Sequence, residues 1–190
     1  MPHINLRPDL FGITSLLDFR KETAAPLCSL THILLRGESS LTEAEREMIA
    51  AYVSSLNECV FCSSAHTAAT CALPGGKESG IQPMVANHSE LDISAKMKSL
   101  LHIAGKVQKN GNHVTMADID AAKEAGATDL EIHDTVLIAA LFCLYNRYVD
   151  GLATVAPADP DFYRGLGERL KNNGYNRLPQ GYDHLKNNPH

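Results

Sequence analysis

The chain has 190 residues, of which 44% are hydrophobic and 21% are charged, and its formal net charge is −5. This length allows one domain with a sizeable core, and the composition is that of an ordinary globular protein. The weak negative charge, without any block of Lys or Arg, argues against a nucleic-acid partner. No apolar run approaches the ~20 residues of a membrane span, and the N-terminal segment lacks an apolar signal core. We therefore expect a cytoplasmic protein with no membrane partner.

The first clearly predicted elements are two consecutive helices in the middle of the first half. Thr42 followed three residues later by Glu45 has the pattern of a capping box, which predicts a helix running to about Leu56. After a short break at residues 57–58, a second helix is expected to begin near Cys59 and to end before residue 73.

Four further helices are predicted along the rest of the chain. Asp92 is expected to cap one, Thr115 opens a short one, and Thr128 with Glu131 forms a second capping box. The helix after Thr128 is apolar nearly all round, which is typical of helices buried in a core or a subunit interface. Asp159 is expected to start the last helix.

No segment alternates between apolar and polar residues as a half-buried strand does. The predicted fold class is therefore all-α. Residues 1–174 are expected to form a single helical domain. Residues 175–190, rich in Asn, Pro, Gly and Tyr, are expected to form an irregular C-terminal tail.

The pattern that carries chemistry joins a carboxylate, two thiols and an imidazole in the order Glu47-x11-Cys59-x2-Cys62-x3-His66. Residues three or four apart lie on the same helix face, so Cys59, Cys62 and His66 form one line of side chains. Such a dithiol can close a disulfide within one turn and take two electrons from a substrate. This chemistry needs a thiolate, which a nearby base and a helix N-terminus both favour.

Helix length brings Glu47 to the same place. If residues 42–56 and 59–72 form an antiparallel hairpin, Glu47 and His66 both lie ~15 Å from its turn at 1.5 Å per residue. The carboxylate can then reach the imidazole directly or through a water, which is a common way to orient a histidine.

Which thiol attacks first stays open on the sequence alone. Cys62 is nearer to His66, so proton transfer favours it as the sulfur that meets a peroxide, with Cys59 resolving the sulfenic acid into a disulfide. Cys59 lies closer to the positive end of the helix, which lowers the pKa of a thiol and favours the opposite assignment.

Two other interpretations of the cluster remain. Cys59, Cys62 and His66, with Glu47 or Cys71 as a fourth ligand, form an alternative structural zinc site, although ligands crowded on one helix fit a tetrahedron poorly. A redox-sensing oligomeric binding module is the other alternative. The remaining cysteines, Cys28, Cys71 and Cys143, are interpreted as core residues.

At these residues the chain resembles the alkyl hydroperoxidase D-like proteins of the carboxymuconolactone decarboxylase superfamily, and most closely their peroxidase-related branch. Residues 41–50 (LTEAEREMIA) and 54–66 (SSLNECVFCSSAH) carry the likeness, and residues 144–152 (LYNRYVDGL) resemble the second signature of that branch. The resemblance extends over roughly residues 10–175 in helix order.

The resemblance implies an alkyl hydroperoxidase D-like helical domain with a redox CxxC at the start of a helix, assembled into trimers or hexamers. It also implies a dithiol peroxidase whose proton relay consists of Glu47, Cys59, Cys62 and His66. The family's type member has a further histidine at the position of Phe61, and its reductant is a lipoyl-bearing protein. The decarboxylase branch typically lacks the CxxC, so lactone decarboxylation is not expected.

The resulting hypothesis is a homo-oligomeric antioxidant oxidoreductase that reduces hydroperoxides without a metal or an organic cofactor. An external thiol or dithiol, of the lipoyl or thioredoxin type, is expected to restore the reduced pair.

Overall fold

The computed structural model describes residues 1–76 and 92–176 of the protein. Over these two ranges every regular element is helical, which confirms the predicted all-α class. A short 3₁₀ turn at Gly111–His113 accompanies the α-helices. The α-helices of these ranges are α1 (Ile13–Phe19), α2 (Lys21–Arg36), α3 (Glu43–Leu56), α4 (Val60–Ala72), α5 (Ala95–Lys109), α6 (Met116–Glu124), α7 (Asp129–Gly151) and α8 (Pro160–Asn173). None of these described helices combines the length and the apolar character that a bilayer crossing requires.

The capping box predicted at Thr42 is present and starts α3. The Thr42 hydroxyl accepts the Glu45 N–H over 3.2 Å, and the Glu45 carboxylate accepts the Thr42 N–H over 2.8 Å. Thr128 and Glu131 form the same reciprocal pair at the start of α7, with distances of 3.2 and 2.7 Å. Each box satisfies backbone donors that the first turn of a helix leaves without a partner.

The start of α5 differs from the prediction. The helix begins at Ala95 rather than after Asp92, because the Ser94 hydroxyl accepts the Met97 N–H over 3.2 Å and is the N-cap. The pattern predicted neither α1 nor α2, since neither begins with a side-chain cap and α2 contains Pro26. The division between a helical domain and an irregular tail stays a prediction, because residues 177–190 lie outside the described residues.

The main core lies between α3, α5 and α7. Helix α7 buries one face in the core of the chain itself, through residues such as Ile138 and Phe142, whereas Leu130 and Leu144 are exposed. An apolar helix of this kind was expected in a core or in a subunit interface. The core of the chain itself covers most of the apolar residues of α7. The largest fully buried apolar side chains of the described ranges are Phe142, Leu16, Leu35, Leu41, Ile49, Met97, Leu100, Leu101, Ile103 and Ile138.

A second, smaller cluster lies between α1, α4, α7 and α8, and it contains both cysteines of the CxxC. Helix α8 packs closely against α4 at Gly167, where an added Cβ would lie 2.6 Å from the carbonyl oxygen of Ala68. Only glycine permits this approach. The packing brings Tyr163, one turn earlier on α8, into the same cluster as Cys59 and Cys62.

Candidate active site

A tight corner between α3 and α4 determines where the thiols lie. Asn57 ends α3, and Glu58 then adopts a left-handed conformation with φ of 59°. The Glu58 N–H donates to the carbonyl of Ser55 over 2.9 Å, and the Cys59 N–H donates to that of Ser54 over 3.0 Å. These are the two bonds of a Schellman motif, which satisfies carbonyls at a helix end and reverses the chain.

The corner makes Cys59 the N-cap residue of α4 and leaves Cys62 in the first turn of that helix. Both are free thiols and both are buried. The side chain of Cys59 lies beside that of Cys62. The carboxyl group of Asp150 lies near Cys59, and the amide of Asn146 lies near Cys62. Both of these partners come from α7, within the segment that resembles the second family signature.

The hydrogen bond with Cys59, together with burial, raises the pKa of Cys62 well above its ordinary value. The bond with Asn146 acts in the opposite direction, because an amide donor stabilises a thiolate. Two adjacent thiols resist losing both protons, since the charge on one disfavours the charge on the other. The pair therefore holds one thiolate at most, and forming it at Cys62 requires a base.

Glu47 and His66 lie in direct contact, as the length of the two helices predicts. The carboxylate Oε2 of Glu47 is 2.6 Å from Nδ1 of His66, and Glu47 is fully buried. Because this bond occupies Nδ1, the nitrogen left for proton transfer is Nε2. The ring of His66 also packs edge-on against Phe142, with 4.4 Å between the ring centroids.

Two further residues complete this cluster, and the sequence analysis did not identify either of them. Arg36, at the end of α2, donates from Nη2 to Glu47 Oε1 over 2.6 Å. The hydroxyl of Tyr175 donates to the same oxygen over 2.6 Å and lies 3.3 Å from His66 Nδ1. The Arg36 guanidinium also stacks over the Tyr175 ring, 5.1 Å from its centroid.

The surroundings keep Glu47 ionised. Burial alone raises the pKa of this carboxyl, but the charge of His66 and the hydrogen bonds from His66 and Tyr175, together with the charge of Arg36, lower it below 4.5. Burial and the charge of Glu47 raise the pKa of Tyr175 well above 10, so this phenol keeps its proton and donates it.

A glycine turn directs Tyr175 into the site. Gly174 ends α8 with φ of 60° and ψ of −147°, a conformation that favours glycine. An added Cβ at Gly174 would lie 2.7 Å from Nδ1 of His32. The glycine directly after the predicted last helix was the available signal for a sharp turn, but nothing in the sequence related the following tyrosine to Glu47.

A cavity opens beside the two groups that are able to exchange a proton. Cys62 and His66 both line it, together with Phe61, Phe142 and Tyr175. Its volume is about 50 Å³, it is open on one side, and its walls are mainly apolar. Cys59 is fully enclosed, so Cys62 is the thiol of the pair that a ligand in this cavity meets.

The hydroxyl of Tyr163 is buried near the thiols without a hydrogen-bond partner among the described residues. Burial and the neighbouring thiols Cys62 and Cys59 raise the pKa of Tyr163 to about 12. Its ring packs against Phe61, with 6.0 Å between the centroids. Phe61 occupies the position of the expected relay histidine and contributes only apolar surface to this side of the thiols.

The alternative zinc site is not assembled within residues 1–76 and 92–176. No group of three or more His, Cys, Asp or Glu side chains in these ranges is arranged to hold a metal ion. Glu47 and His66 bind each other instead of converging with the thiols on a common point. Cys71, the other fourth ligand considered, lies at the far end of α4.

A family model and two solved structures are similar to this chain. Residues 21–76 match the family model of the carboxymuconolactone decarboxylase family. An uncharacterized peroxidase-related protein from Silicibacter sp. TM1040 has a crystal structure with a TM-score of 0.68 and 28% identity, covering 80% of this chain and 78% of its own. The alkylhydroperoxidase AhpD core of an uncharacterized peroxidase-related protein from Ralstonia eutropha JMP134 gives a TM-score of 0.70 and 27% identity, covering 81% and 79%. Among curated proteins, none matches the chain significantly.

Residues 21–76 therefore carry the sequence pattern of the carboxymuconolactone decarboxylase family, and the chain is similar in structure to two peroxidase-related proteins.

The segment that matches the family model contains most of the site described above. Arg36, Glu47, Cys59, Cys62 and His66 all lie within the matched residues 21–76. Asn146, Asp150, Tyr163 and Tyr175 lie outside that segment and join the site through α7, α8 and the turn after α8. Both solved neighbours are peroxidase-related proteins, which agrees with the branch indicated by the sequence.

Proposed function

We propose that this protein reduces hydroperoxides with the dithiol of Cys59 and Cys62. One observation carries the proposal: Cys62 and His66 line the same cavity, and His66 is bonded through Nδ1 to the buried carboxylate of Glu47. A thiol, a base and a group that orients the base are the parts that nucleophilic catalysis by cysteine requires. The peroxidase-related neighbours support the same class of chemistry.

In the first step, Nε2 of His66 takes the proton of Cys62, and the thiolate attacks the terminal oxygen of the hydroperoxide. The O–O bond breaks, and the leaving alkoxide takes the proton back from His66 and departs as an alcohol. Cys62 has then become a sulfenic acid. Glu47 stabilises the imidazolium that exists between the two proton transfers.

In the second step, Cys59 attacks the sulfenic sulfur of Cys62. The S–S bond forms, and the hydroxyl group departs as water with the proton that Cys59 loses. Asp150 lies near Cys59 and is suited to accept that proton first. The pair has lost two electrons, and an external dithiol of the lipoyl or thioredoxin type returns them by thiol–disulfide exchange.

The raised pKa of Cys62 explains why this mechanism includes a base. A thiol that keeps its proton at neutral pH reacts slowly without one, because the thiolate is the nucleophile. The oxidation rate should therefore keep rising with pH above neutrality, following the thiolate fraction of Cys62.

The experiment that tests the proposal measures the intact mass of the reduced protein before and after one equivalent of cumene hydroperoxide. Loss of two hydrogens, mapped to the peptide that carries Cys59 and Cys62, is expected. Cys62→Ser should stay unoxidised, and Cys59→Ser should gain one oxygen as a sulfenic acid. Cys71→Ser serves as the matched control on the same helix and should behave as the parent protein. Full peroxide consumption by both CxxC variants would contradict the mechanism.

A redox-sensing module is the second candidate, favoured by the burial of both thiols and the raised pKa of Cys62. Such a module would oxidise once, slowly, and change its assembly. Repeated turnover with an added dithiol reductant separates the enzyme from the sensor. Solution mass before and after oxidation tests both this candidate and the homo-oligomer, trimer or hexamer, that we propose for the protein.

A further inference from the structure

Arg169 on α8 is a cation without a counter-charge among the described residues, and it lines the same cavity as Cys62 and His66. It makes no hydrogen bond or ion pair with any residue of the described ranges. The other arginine near the site, Arg36, differs, since its charge is matched by Glu47 and Glu43 at 2.6 and 3.4 Å.

Two hydroxyl groups that also line the cavity already have hydrogen-bond partners within the protein. The hydroxyl groups of Thr31 and Tyr145 lie 2.6 Å apart and bond each other. One of the two donates to the other, and the second donates to the carbonyl of Leu27, which lies 2.7 Å from the Thr31 hydroxyl and 3.1 Å from that of Tyr145. The described lining of the cavity contains no carboxylate, and Glu47 behind it bonds His66 and Arg36. The guanidinium is thus a charged group of this wall whose hydrogen-bond donors a ligand can satisfy.

The rest of the wall is apolar. Ile13, Leu17, Phe142 and Leu166 line the cavity together with Arg169 and Cys62, and the lining is mainly apolar. A surface of this kind binds a hydrocarbon body, while a single placed charge orients it. Guanidinium groups bind carboxylates through two parallel hydrogen bonds, which gives direction as well as affinity.

We propose that Arg169 binds the carboxylate of an amphipathic hydroperoxy acid, whose apolar body lies along the cavity wall and whose peroxide meets Cys62. This inference rests on the proposed function and specifies the substrate class of the same site. Burial lowers the pKa of Arg169, yet an arginine stays charged in proteins, so the site keeps an unneutralised cation in a partly dehydrated position. A carboxylate ligand removes that imbalance.

The test compares cumene hydroperoxide, its para-carboxylate and the methyl ester of that acid. These three have the same reacting group and differ in the charge at the far end. With the reduced protein, we expect kcat/KM for the acid to exceed that for the ester by about tenfold or more, the range of one charge-assisted hydrogen bond. Arg169→Gln should reduce this ratio to near one, and Arg169→Lys should retain part of it.

Arg164→Gln is the matched control, because Arg164 lies on the same helix but is exposed and paired with Asp161. It should leave the acid-to-ester ratio unchanged. Equal rates for acid and ester in the parent protein would overturn the inference while the peroxidase proposal stands.

A second measurement does not depend on turnover. Binding of octanoate to the reduced protein, followed by calorimetry, should weaken by about tenfold or more in Arg169→Gln. If octanoate binds in this way while every hydroperoxide leaves the dithiol reduced, the carboxylate site stands and the peroxidase proposal fails. Absence of octanoate binding together with an equal acid and ester rate would exclude the carboxylate site.

Discussion

The hydroxyl of Tyr175 donates a hydrogen bond to Oε1 of Glu47 over 2.6 Å, although the two residues are 128 positions apart in the chain. Glu47 accepts from Arg36 at the same oxygen and bonds His66 at the other. The Glu47 carboxylate therefore has hydrogen-bond partners on α2, on α4 and in the turn after α8. The orientation of the His66 ring depends on all three contacts, not on Glu47 alone.

Replacing Tyr175 by Phe should change the pH dependence of thiol oxidation. The hydrogen bond from Tyr175 is one of the causes that lower the pKa of Glu47, so without it this carboxyl is protonated more readily as the pH falls. A protonated Glu47 no longer stabilises the charged ring of His66, so the loss of oxidation rate on acidification should begin at a higher pH than in the parent protein. Stopped-flow oxidation by cumene hydroperoxide across pH 5–9 measures this. The variant should also lose about 1.5–3 kcal/mol of stability, typical of a hydrogen bond to a charged group.

Tyr148→Phe provides the control for that substitution, because Tyr148 packs against the same apolar cluster that holds the thiols. It should leave the pH profile unchanged. If Tyr175→Phe only lowers stability and its profile overlays that of the parent, then Tyr175 has a structural role and does not influence His66.

Gly174→Ala should disturb the site by straining the backbone that positions Tyr175, without removing any side chain of the site. The alanine must adopt φ of 60° with ψ of −147° and place its Cβ 2.7 Å from His32, so we expect a loss of stability. Strain of this kind costs about 1–3 kcal/mol. Gly165→Ala, within the same helix and with open space around the new Cβ, should instead gain about 0.5–1 kcal/mol. Urea unfolding of the two variants measures the difference, and equal effects would contradict the strained turn.

Glu131 should make stability depend on acid pH. Burial raises the pKa of this carboxyl, but the hydrogen bonds from Lys96, Thr128 and Ser40 and the charge of Lys96 outweigh it and lower the pKa to about 2. The folded-state pKa lies below the unfolded-state value, so the stabilisation is present above pH ~4.5 and is lost as the pH falls toward 2. Glu131→Gln should cost about 2–3 kcal/mol at pH 7.

The difference between the parent and Glu131→Gln should shrink as unfolding is measured from pH 5 down to pH 3. Glu45→Gln removes the equivalent capping-box carboxylate of α3 at a less buried position, so its effect should be smaller. A Glu131→Gln difference that stays constant over this pH range would exclude the lowered pKa as its source.

Glu58→Gly should stabilise the corner that precedes the thiols. Glu58 has φ of 59°, a left-handed conformation that costs a residue with a side chain about 1–2 kcal/mol, and glycine adopts it freely. After the greater flexibility of glycine in the unfolded chain is subtracted, we expect a gain of about 0.5–1 kcal/mol. Thermal unfolding of Glu58→Gly and Glu58→Ala measures it, and only the glycine variant should gain.

The contact between Glu47 and His66 was predictable because it lies within one hairpin. The capping box at Thr42 fixed where α3 begins, and a constant rise per residue fixed which positions face each other across the turn. The line of Cys59, Cys62 and His66 followed from helix periodicity in the same way. Both inferences needed only local sequence.

Arg36, Asn146, Asp150 and Tyr175 were not predictable as site residues, for the opposite reason. Each belongs to a different part of the chain from the CxxC, and each reaches the site through the packing of α2, α7 or α8. The local sequences of Arg36 and Tyr175 resemble those of ordinary helix ends and surfaces. The likeness of residues 144–152 to a family signature marked the segment of Asn146 and Asp150 without showing that it reaches the thiols. The prediction of Asp92 as the N-cap of α5 was wrong because Ser94 is an equally good N-cap residue and lies two residues closer to the apolar positions of that helix.

Tyr175 follows Glu47 by 128 positions, which affects when the proton relay is completed during synthesis. The ribosome adds Cys59 and Cys62 long before Tyr175, so the nascent chain carries the dithiol before Glu47 has its last hydrogen bond. The relay is therefore complete only after α8 and the turn that follows it have been made.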